Sequence, residues 1–239
     1  ILGSSSKGNC YVLGNERSCL ILEAGIPLRQ VKPVIGFDLT KIAGCLITHE
    51  HLDHFKYIDQ FSVAGINVYA SAGTLENKSG HRYYEVQPNK RFVVGEFTVF
   101  PFNVEHDARQ PLGYIISHPD CGNVLFMTDT AKTNISLRDI DHYLIEANHG
   151  AEIMHDKLIN GQMNPFAYRR IRRSHMSIEA CCELVNRTKY KGTSSVVLLH
   201  LSDTNSDEVE FIKTIQSTTG ILTQCASPGQ SLLLTKTPF

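Results

Sequence analysis

The sequence predicts an α/β protein built as an αββα sandwich, with two stacked β-sheets flanked by helices. Three observations predict it. The first half is a succession of short apolar runs separated by turn residues, the pattern of strands and hairpins. Helical periods then alternate with further strands, and the chain closes on a β-α-β pattern. Sheets and helices in that order pack as layers around one core. At 239 residues the chain can bury a sizeable core, and it reads as a single domain over residues 1–239.

The elements follow in order. "NCYVLG" and "SCLILEAG" flank Gly14-Asn15-Glu16-Arg17 and read as a hairpin. "IPLRQVKPVIGF" reads as a short helix or irregular segment limited by Pro33. "IAGCLITH" is a central strand, and "NVYASAGTLENK" is a strand followed by a helix start. "RFVVGEFTVFPFNVEH" gives two strands around Gly95-Glu96. "PLGYIISHPDCGNVLFMTDT" is a hairpin around Asp120-Cys121-Gly122-Asn123, and "HYLIEANH" is a strand. From His155 to Ser174 there is no clear apolar period, and Gly161 and Pro165 act as breakers, so this stretch reads as a long loop. "SIEACCELVNRT" is helical, with Ile178, Cys181, Cys182 and Val185 on one side. "TSSVVLLHLSDT" is a strand, and "NSDEVEFIKTIQSTTG" is a helix closed by Gly220.

Composition narrows the function. A formal net charge of −1 gives no global field towards nucleic acid or membrane. No apolar run reaches the length of about 18 residues that a membrane helix needs. The opening "ILGSSSKGN" lacks the charged and apolar regions of a secretory signal. Seven cysteines, an odd number with no C-x-x-C, read as buried free thiols in a reducing, cytoplasmic setting rather than as a disulfide framework or cysteine zinc site.

The polar residues gather where strands end. Apolar runs lead into His49, His106, Asp129, Glu146 with His149, and His200. Loops at sheet ends are where sites are built on a rigid frame. The stretch "LITHEHLDHF" crowds His49, His51, Asp53 and His54 into six residues. In an H-x-H pair leaving a strand, both imidazoles face the same side. After a turn at Leu52, Asp53 and His54 are left to serve a second ion, and paired ions in such sites lie about 3.5–4 Å apart. Imidazole with carboxylate suits zinc, with manganese and iron as rivals.

"THEHLDH", followed by His106 in "NVEHD", Asp129 in "FMTDT" and His200 in "LLHLSDTN", resembles the signature of the metallo-β-lactamase fold superfamily. The resemblance runs from the "LILEAG" strand to the end of the chain. It implies a first metal on His49, His51 and His106, a second on Asp53, His54 and His200, and Asp129 bridging both. Two zinc ions, or manganese, are the implied cofactors. "RRSHMSIEA" and "HLSDTN" resemble motifs of the phosphodiesterase branch, which includes transfer-RNA 3′-processing nucleases. "GSSSKGNCYVL" resembles the opening of the YycJ-type exonuclease group, and also that of phage anti-Pycsar enzymes, which cleave cyclic nucleotides. Glu23 stands in "LILEAG" where that family usually has Asp.

A metal pair would supply an activated water and neutralise a phosphodiester's charge. The leaving alkoxide needs a proton, which makes His175 the candidate general acid, oriented by Glu146. Asp53 has a second possible task, holding the water. Each has a plainer alternative: a surface histidine ahead of a helix for His175, and an ion pair at a strand end for Glu146. Arg169, Arg170, Arg172 and Arg173 read either as a solvated basic face or as phosphate ligands. Arg173 with Phe166 and Tyr168, which could stack a base, forms the substrate-binding set. "GSSSKGN" is either an anion nest, with Lys7 adding charge, or a tight turn.

Near-zero net charge and the lack of a long arm or extra domain favour a small nucleotide. The leading expectation is a cyclic-nucleotide phosphodiesterase, of use to a phage evading a Pycsar-type defence and then acting in the host cytoplasm. Alternatives are a YycJ-type 5′-exonuclease, a thioester or lactam hydrolase, and a metal-bound structural protein. A homodimer is expected, with the 155–174 loop reaching the partner's site.

Overall fold

The computed structural model describes residues 1–133 and 135–236. They fall into two compact units. The first holds Ile1–Asn103, Ala108–Ile116 and Ser227–Leu232; the second holds Val104–Asp107, Ser117–Ala226 and the residues from Leu233 onward.

In the first unit, β1 (Tyr11–Gly14) and β2 (Cys19–Leu22) form the expected hairpin, antiparallel from Tyr11 opposite Leu22 to Gly14 opposite Cys19. The Asn15 side chain closes the turn by accepting from the Arg17 and Ser18 amides. α1 (Leu28–Val31) stops ahead of Pro33. β3 (Ile42–Leu46) is the middle strand of a sheet ordered β1-β2-β3 and continuing to β4 (Val68–Ala70) and β5 (Tyr83–Glu85). β2, β3, β4 and β5 run parallel. Every residue of β2 is buried, which is why "CLIL" is apolar without alternation. Between β3 and β4 lie α2 (Leu52–Phe55) and α3 (Ile58–Val63). β6 (Phe92–Val94) and β7 (Phe97–Asn103) pair antiparallel around Gly95, whose φ of 58° suits glycine. β8 (Leu112–His118) follows, its last two residues belonging to the second unit. Ile21, Cys45, Ile47, Phe61 and Val68 lie in this unit's core cluster. The helix start expected after β4 is instead a run of turns over 72–77, because Ser71 uses its hydroxyl on Thr74 and on the Gln110 carbonyl.

In the second unit, β9 (Gly122–Met127), β10 (His142–Glu146), β11 (Ser195–Leu199) and β12 (Leu222–Cys225) are parallel in the order β12-β11-β10-β9. Their apolar runs are the ones a parallel sheet covered by helices requires. α4 (Ala151–Ile159) and α5 (Pro165–Ser174) follow β10. α6 (Ile178–Thr188) is capped by Ser177, and α7 (Glu208–Thr219) is capped by Asp207. α7 ends on Gly220 in the left-handed conformation, φ 73°, as its sequence predicts. α6 packs on α7 and β10, and α7 on β12.

The 155–174 loop is corrected to two helices. Gly161 (φ 68°) lies just past α4, and Pro165 is the first residue of α5, whose Asn164 cap accepts from the Phe166 amide at 2.7 Å. Both breakers mark helix boundaries, where glycine and proline belong. No apolar period showed because α5 carries a basic face instead of an apolar one. Phe166 and Tyr168 lie on α5.

All seven cysteines are free and buried. Burial pushes the Cys19 thiol up to about 11 and Cys225 to about 12. Among the described residues, no helix is long and apolar enough to cross a membrane.

Candidate functional site

Each unit carries one cluster of metal-type side chains. In the first unit the chain leaves β3 at Leu46, and His51 becomes the N-cap of α2. That short helix places Asp53 in its first turn and buries His54. The His49 ring lies 4.6 Å from His51 and 4.2 Å from His54, centroid to centroid. His49 Nδ1 is 2.8 Å from Thr48 Oγ1, which fixes the ring's orientation.

The backbone here is clamped from outside. The Asn9 amide donates to the Asp53 carbonyl at 2.7 Å, and Ala24 N donates to the His54 carbonyl at 2.7 Å. Gly25 lies so close that a Cβ there would sit 1.7 Å from the Asp53 carbonyl oxygen. The buried Asn9 side chain donates to the Asp53 carbonyl (3.3 Å) and to Asp53 Oδ2 (3.4 Å), and lies 3.0 Å from His54 Nε2. "GSSSKGN" forms a turn whose Gly8 and Asn9 amides donate to the Ser5 and Asp53 carbonyls. Glu23, fully buried with φ 69°, accepts from the Thr48 amide and sits 3.7 Å from His54 Nδ1. Burial raises its carboxyl above the ordinary value, although His54 and Thr48 pull the other way.

In the second unit Asp129, Glu146, His175 and His200 each offer a ligand atom within 4.8 Å of all the others. Asp129 and His200 follow the ends of β9 and β11 with left-handed φ of 41° and 51°. Non-glycine residues rarely adopt that conformation, and such strain collects at functional sites. Asp129 Oδ1 lies 3.5 Å from His200 Nδ1, and Asp129 Oδ2 lies 3.8 Å from His106 Nε2.

His106 Nδ1 is 2.6 Å from the Ser174 carbonyl, which can only accept. Nδ1 therefore carries the proton, leaving Nε2 with a lone pair for a metal. Burial lowers the His106 pKa, with Asp129 nearby opposing it, and a metal ligand needs a neutral imidazole. The donors are thus imidazoles and carboxylates on rigid frames, with His106 in the ligating tautomer. This set fits a divalent metal ion.

His175 Nδ1 lies 2.6 Å from Glu146 Oε1 and 3.9 Å from Asp129 Oδ2. Glu146 is fully buried, and its other oxygen accepts from the Thr130 (2.9 Å) and Met176 (2.8 Å) amides. Burial alone would raise Glu146, but the charge and hydrogen bond of His175 outweigh it and the carboxyl stays ionised. Burial likewise opposes charge on His175, yet Glu146 and Asp129 raise its pKa. The His175 ring stacks at 5.7 Å on His200 and meets His106 edge-on at 5.2 Å. His149 takes no part in this cluster. It pairs with Ser177 through the backbone, and burial lowers its pKa to about 4.

Of the substrate-binding set, Phe166 and Arg173 line one cavity of about 470 Å³ with Asp107, Arg169, Arg170 and Ser174. Tyr168 is not in that lining; its ring lies 5.4 Å from the Arg172 guanidinium. Three contributors escaped sequence reasoning. Asn9 sat inside a glycine-serine turn, Ser174 acts through a carbonyl that every residue has, and Asp107 was overshadowed by the neighbouring histidine.

The chain is 29% identical over 230 residues to the exodeoxyribonuclease WalJ of Streptococcus pneumoniae, 86% of this chain and 82% of that protein. It is 25% identical over 170 residues to the exodeoxyribonuclease YycJ of Bacillus anthracis, 64% of each. The metallo-β-lactamase fold protein YhfI of Bacillus subtilis superposes with a TM-score of 0.74, covering 96% of both chains at 14% identity, which shows the shared α/β fold. The family model for the β-lactamase superfamily domain matches residues 21–201, and it is to this superfamily that the chain belongs.

Proposed function

We propose that the protein is a metal-dependent phosphodiesterase of nucleotide substrates, with the end of a single DNA strand as its substrate. The observation that carries the reading is the His175–Glu146 pair, 2.6 Å apart and beside Asp129. An oriented imidazole that holds a proton is what an alkoxide leaving group requires. A lactam or thioester hydrolase shares the metal residues without needing it.

His49, His51, Asp53, His54, His106, Asp129 and His200 are the proposed metal ligands, with zinc or manganese as the ions. Bound metal supplies Lewis acidity and a water acidic enough to attack at neutral pH. The chain's own residues do the rest. Glu146 accepts from His175 Nδ1–H and, with Asp129 nearby, favours the doubly protonated imidazolium, whose Nε2–H is then the proton delivered to the leaving 3′-oxygen. Asp53, tied by Asn9, keeps a carboxylate available to hold the water.

The exodeoxyribonuclease names of the WalJ and YycJ relatives support a DNA strand. Ala151–Ile159 and Pro165–Ser174 are helices, so the cyclic-nucleotide reading loses the support of a long covering loop. The cyclic-nucleotide reading keeps the resemblance of "GSSSKGNCYVL" in its favour. Seven buried thiols suit a reducing, cytoplasmic setting.

A panel of bis-p-nitrophenyl phosphate, 5′-labelled single-stranded DNA, cyclic mononucleotides and nitrocefin tests the reading. The expected result is cleavage of the nitrophenyl ester and of DNA from one end, with nitrocefin intact. Rapid cyclic-nucleotide hydrolysis with DNA untouched would move the assignment to the cyclic-nucleotide class. Nitrocefin hydrolysis with every phosphodiester intact would reject it.

A further inference from the structure

Phe166, Arg169, Arg170 and Arg173 stand at i, i+3, i+4 and i+7 of α5, so they share one face of that helix. That spacing ordinarily marks an apolar stripe turned to a core. Here it carries three guanidinium groups and a phenyl ring that is 71% exposed, and these four line the cavity of about 470 Å³. Asp107, the acidic residue in the lining, accepts from Arg170 Nε at 3.3 Å. Three positive charges against one negative leave the cavity electropositive, in a chain whose formal net charge is −1.

The cavity is tied to the histidine cluster of the same unit at two points. Asp107 follows His106 in the chain, and its Oδ1 is 3.3 Å from His106 Nε2. Ser174, which also lines the cavity, accepts the hydrogen bond from His106 Nδ1–H through its carbonyl and precedes His175. Arg172 points elsewhere, over the Tyr168 ring.

We infer that this face of α5 is a strand-binding subsite. Arg169, Arg170 and Arg173 hold a phosphate of the substrate strand that is not the one being cleaved, and Phe166 stacks a neighbouring base. Guanidinium forks match phosphate oxygens, and an exposed aromatic ring stacks any base without selecting a sequence. A cyclic mononucleotide has one phosphate and cannot fill this subsite and a cleavage site together. A chain of nucleotides can. The inference rests on the phosphodiesterase reading above and names its substrate as a polynucleotide strand.

The test is fluorescence anisotropy with the metal-loaded protein and a labelled single-stranded oligodeoxynucleotide of about twelve nucleotides. Wild type, R169A/R173A, R169K/R173K and R172A are titrated at several salt concentrations. R169A/R173A is expected to weaken binding by about tenfold or more. Its plot of log affinity against log salt should be shallower by about 0.7, the amount for one single-strand phosphate that is no longer neutralised. R169K/R173K, which keeps the charge without the fork, should fall between it and wild type. R172A should bind as wild type does.

The inference is overturned if wild type does not bind the strand, or if R169A/R173A binds with wild-type affinity and salt slope. The lysine variant answers the question even should the alanine variant fold poorly, since affinity equal to wild type and a weakened R172A would place the phosphate site elsewhere on α5. Turnover of bis-p-nitrophenyl phosphate by wild type is scored separately. Binding without that turnover rejects the phosphodiesterase reading and leaves the subsite standing.

Discussion

Glu23, Asp129 and His200 show how a residue can be placed at a conformational cost. Each is a non-glycine residue with a left-handed φ, and each belongs to one of the two polar clusters. Such backbone strain, on the order of 1–3 kcal/mol each, persists only where the surroundings over-determine it. His175 is placed more cheaply, by a single 2.6 Å hydrogen bond to a carboxylate that two backbone amides hold in position. This geometry makes a specific prediction. His175→Ala should keep the metal content of the protein and slow DNA cleavage by about 10²–10⁴-fold, the usual worth of general acid assistance. The nitrophenyl ester should lose far less, because nitrophenolate leaves without a proton. Steady-state rates on both substrates check it, and equal losses would remove His175 from the acid role.

At the scale of elements, the motif helix α2 is only four residues long and cannot be stable by itself. What holds it is the turn around Asn9 and Gly25, through the Asp53 and His54 carbonyls. Gly25→Ala would push a methyl group into the Asp53 carbonyl, which a Cβ would meet at 1.7 Å. Overpacking of this kind costs about 1–3 kcal/mol, or several degrees of melting temperature in a chain of this size. The prediction is a lower thermal midpoint by calorimetry together with reduced metal content, because the strained segment is the one carrying Asp53 and His54. A variant with wild-type melting and metal content would show that the turn does not position this helix.

At the scale of the whole molecule, net charge hides local concentrations of charge. The value of −1 conceals a concentration of arginine on one face of α5. A sum over the chain averages such local fields away, so the net charge does not weigh against a nucleic-acid strand as the proposed substrate. The metal proposal is also tested at this scale. Elemental analysis of the purified protein should give about two metal ions per chain. Removing them with a chelator should lower the thermal midpoint, since ligands that bind only the folded state stabilise it by mass action. H49A/H51A should lose at least one ion. Full metal occupancy in that double variant would reject the ligand assignment.

The sequence by itself determined the α/β class, the hairpin at Gly14–Arg17, the central strand leading into "THEHLDH", and the family to which those residues belong. Local patterns carry this information: apolar runs, turn residues, a glycine helix stop and a dense ligand motif are written in neighbouring positions. The His175–Glu146 pairing was also legible, because the chemistry calls for a proton donor and a carboxylate to orient it, and both stand at element ends beside the ligand motifs. Residues 155–174 were not legible, since Gly161 and Pro165 break a helix or bound one depending on register. Nor was the role of Asn9, whose partners Asp53 and His54 lie more than forty positions away. The tautomer of His106 depends on a carbonyl at Ser174, 68 residues distant. These were decided by tertiary structure alone, because hydrogen bonds between residues far apart in the chain leave no periodic trace in its order.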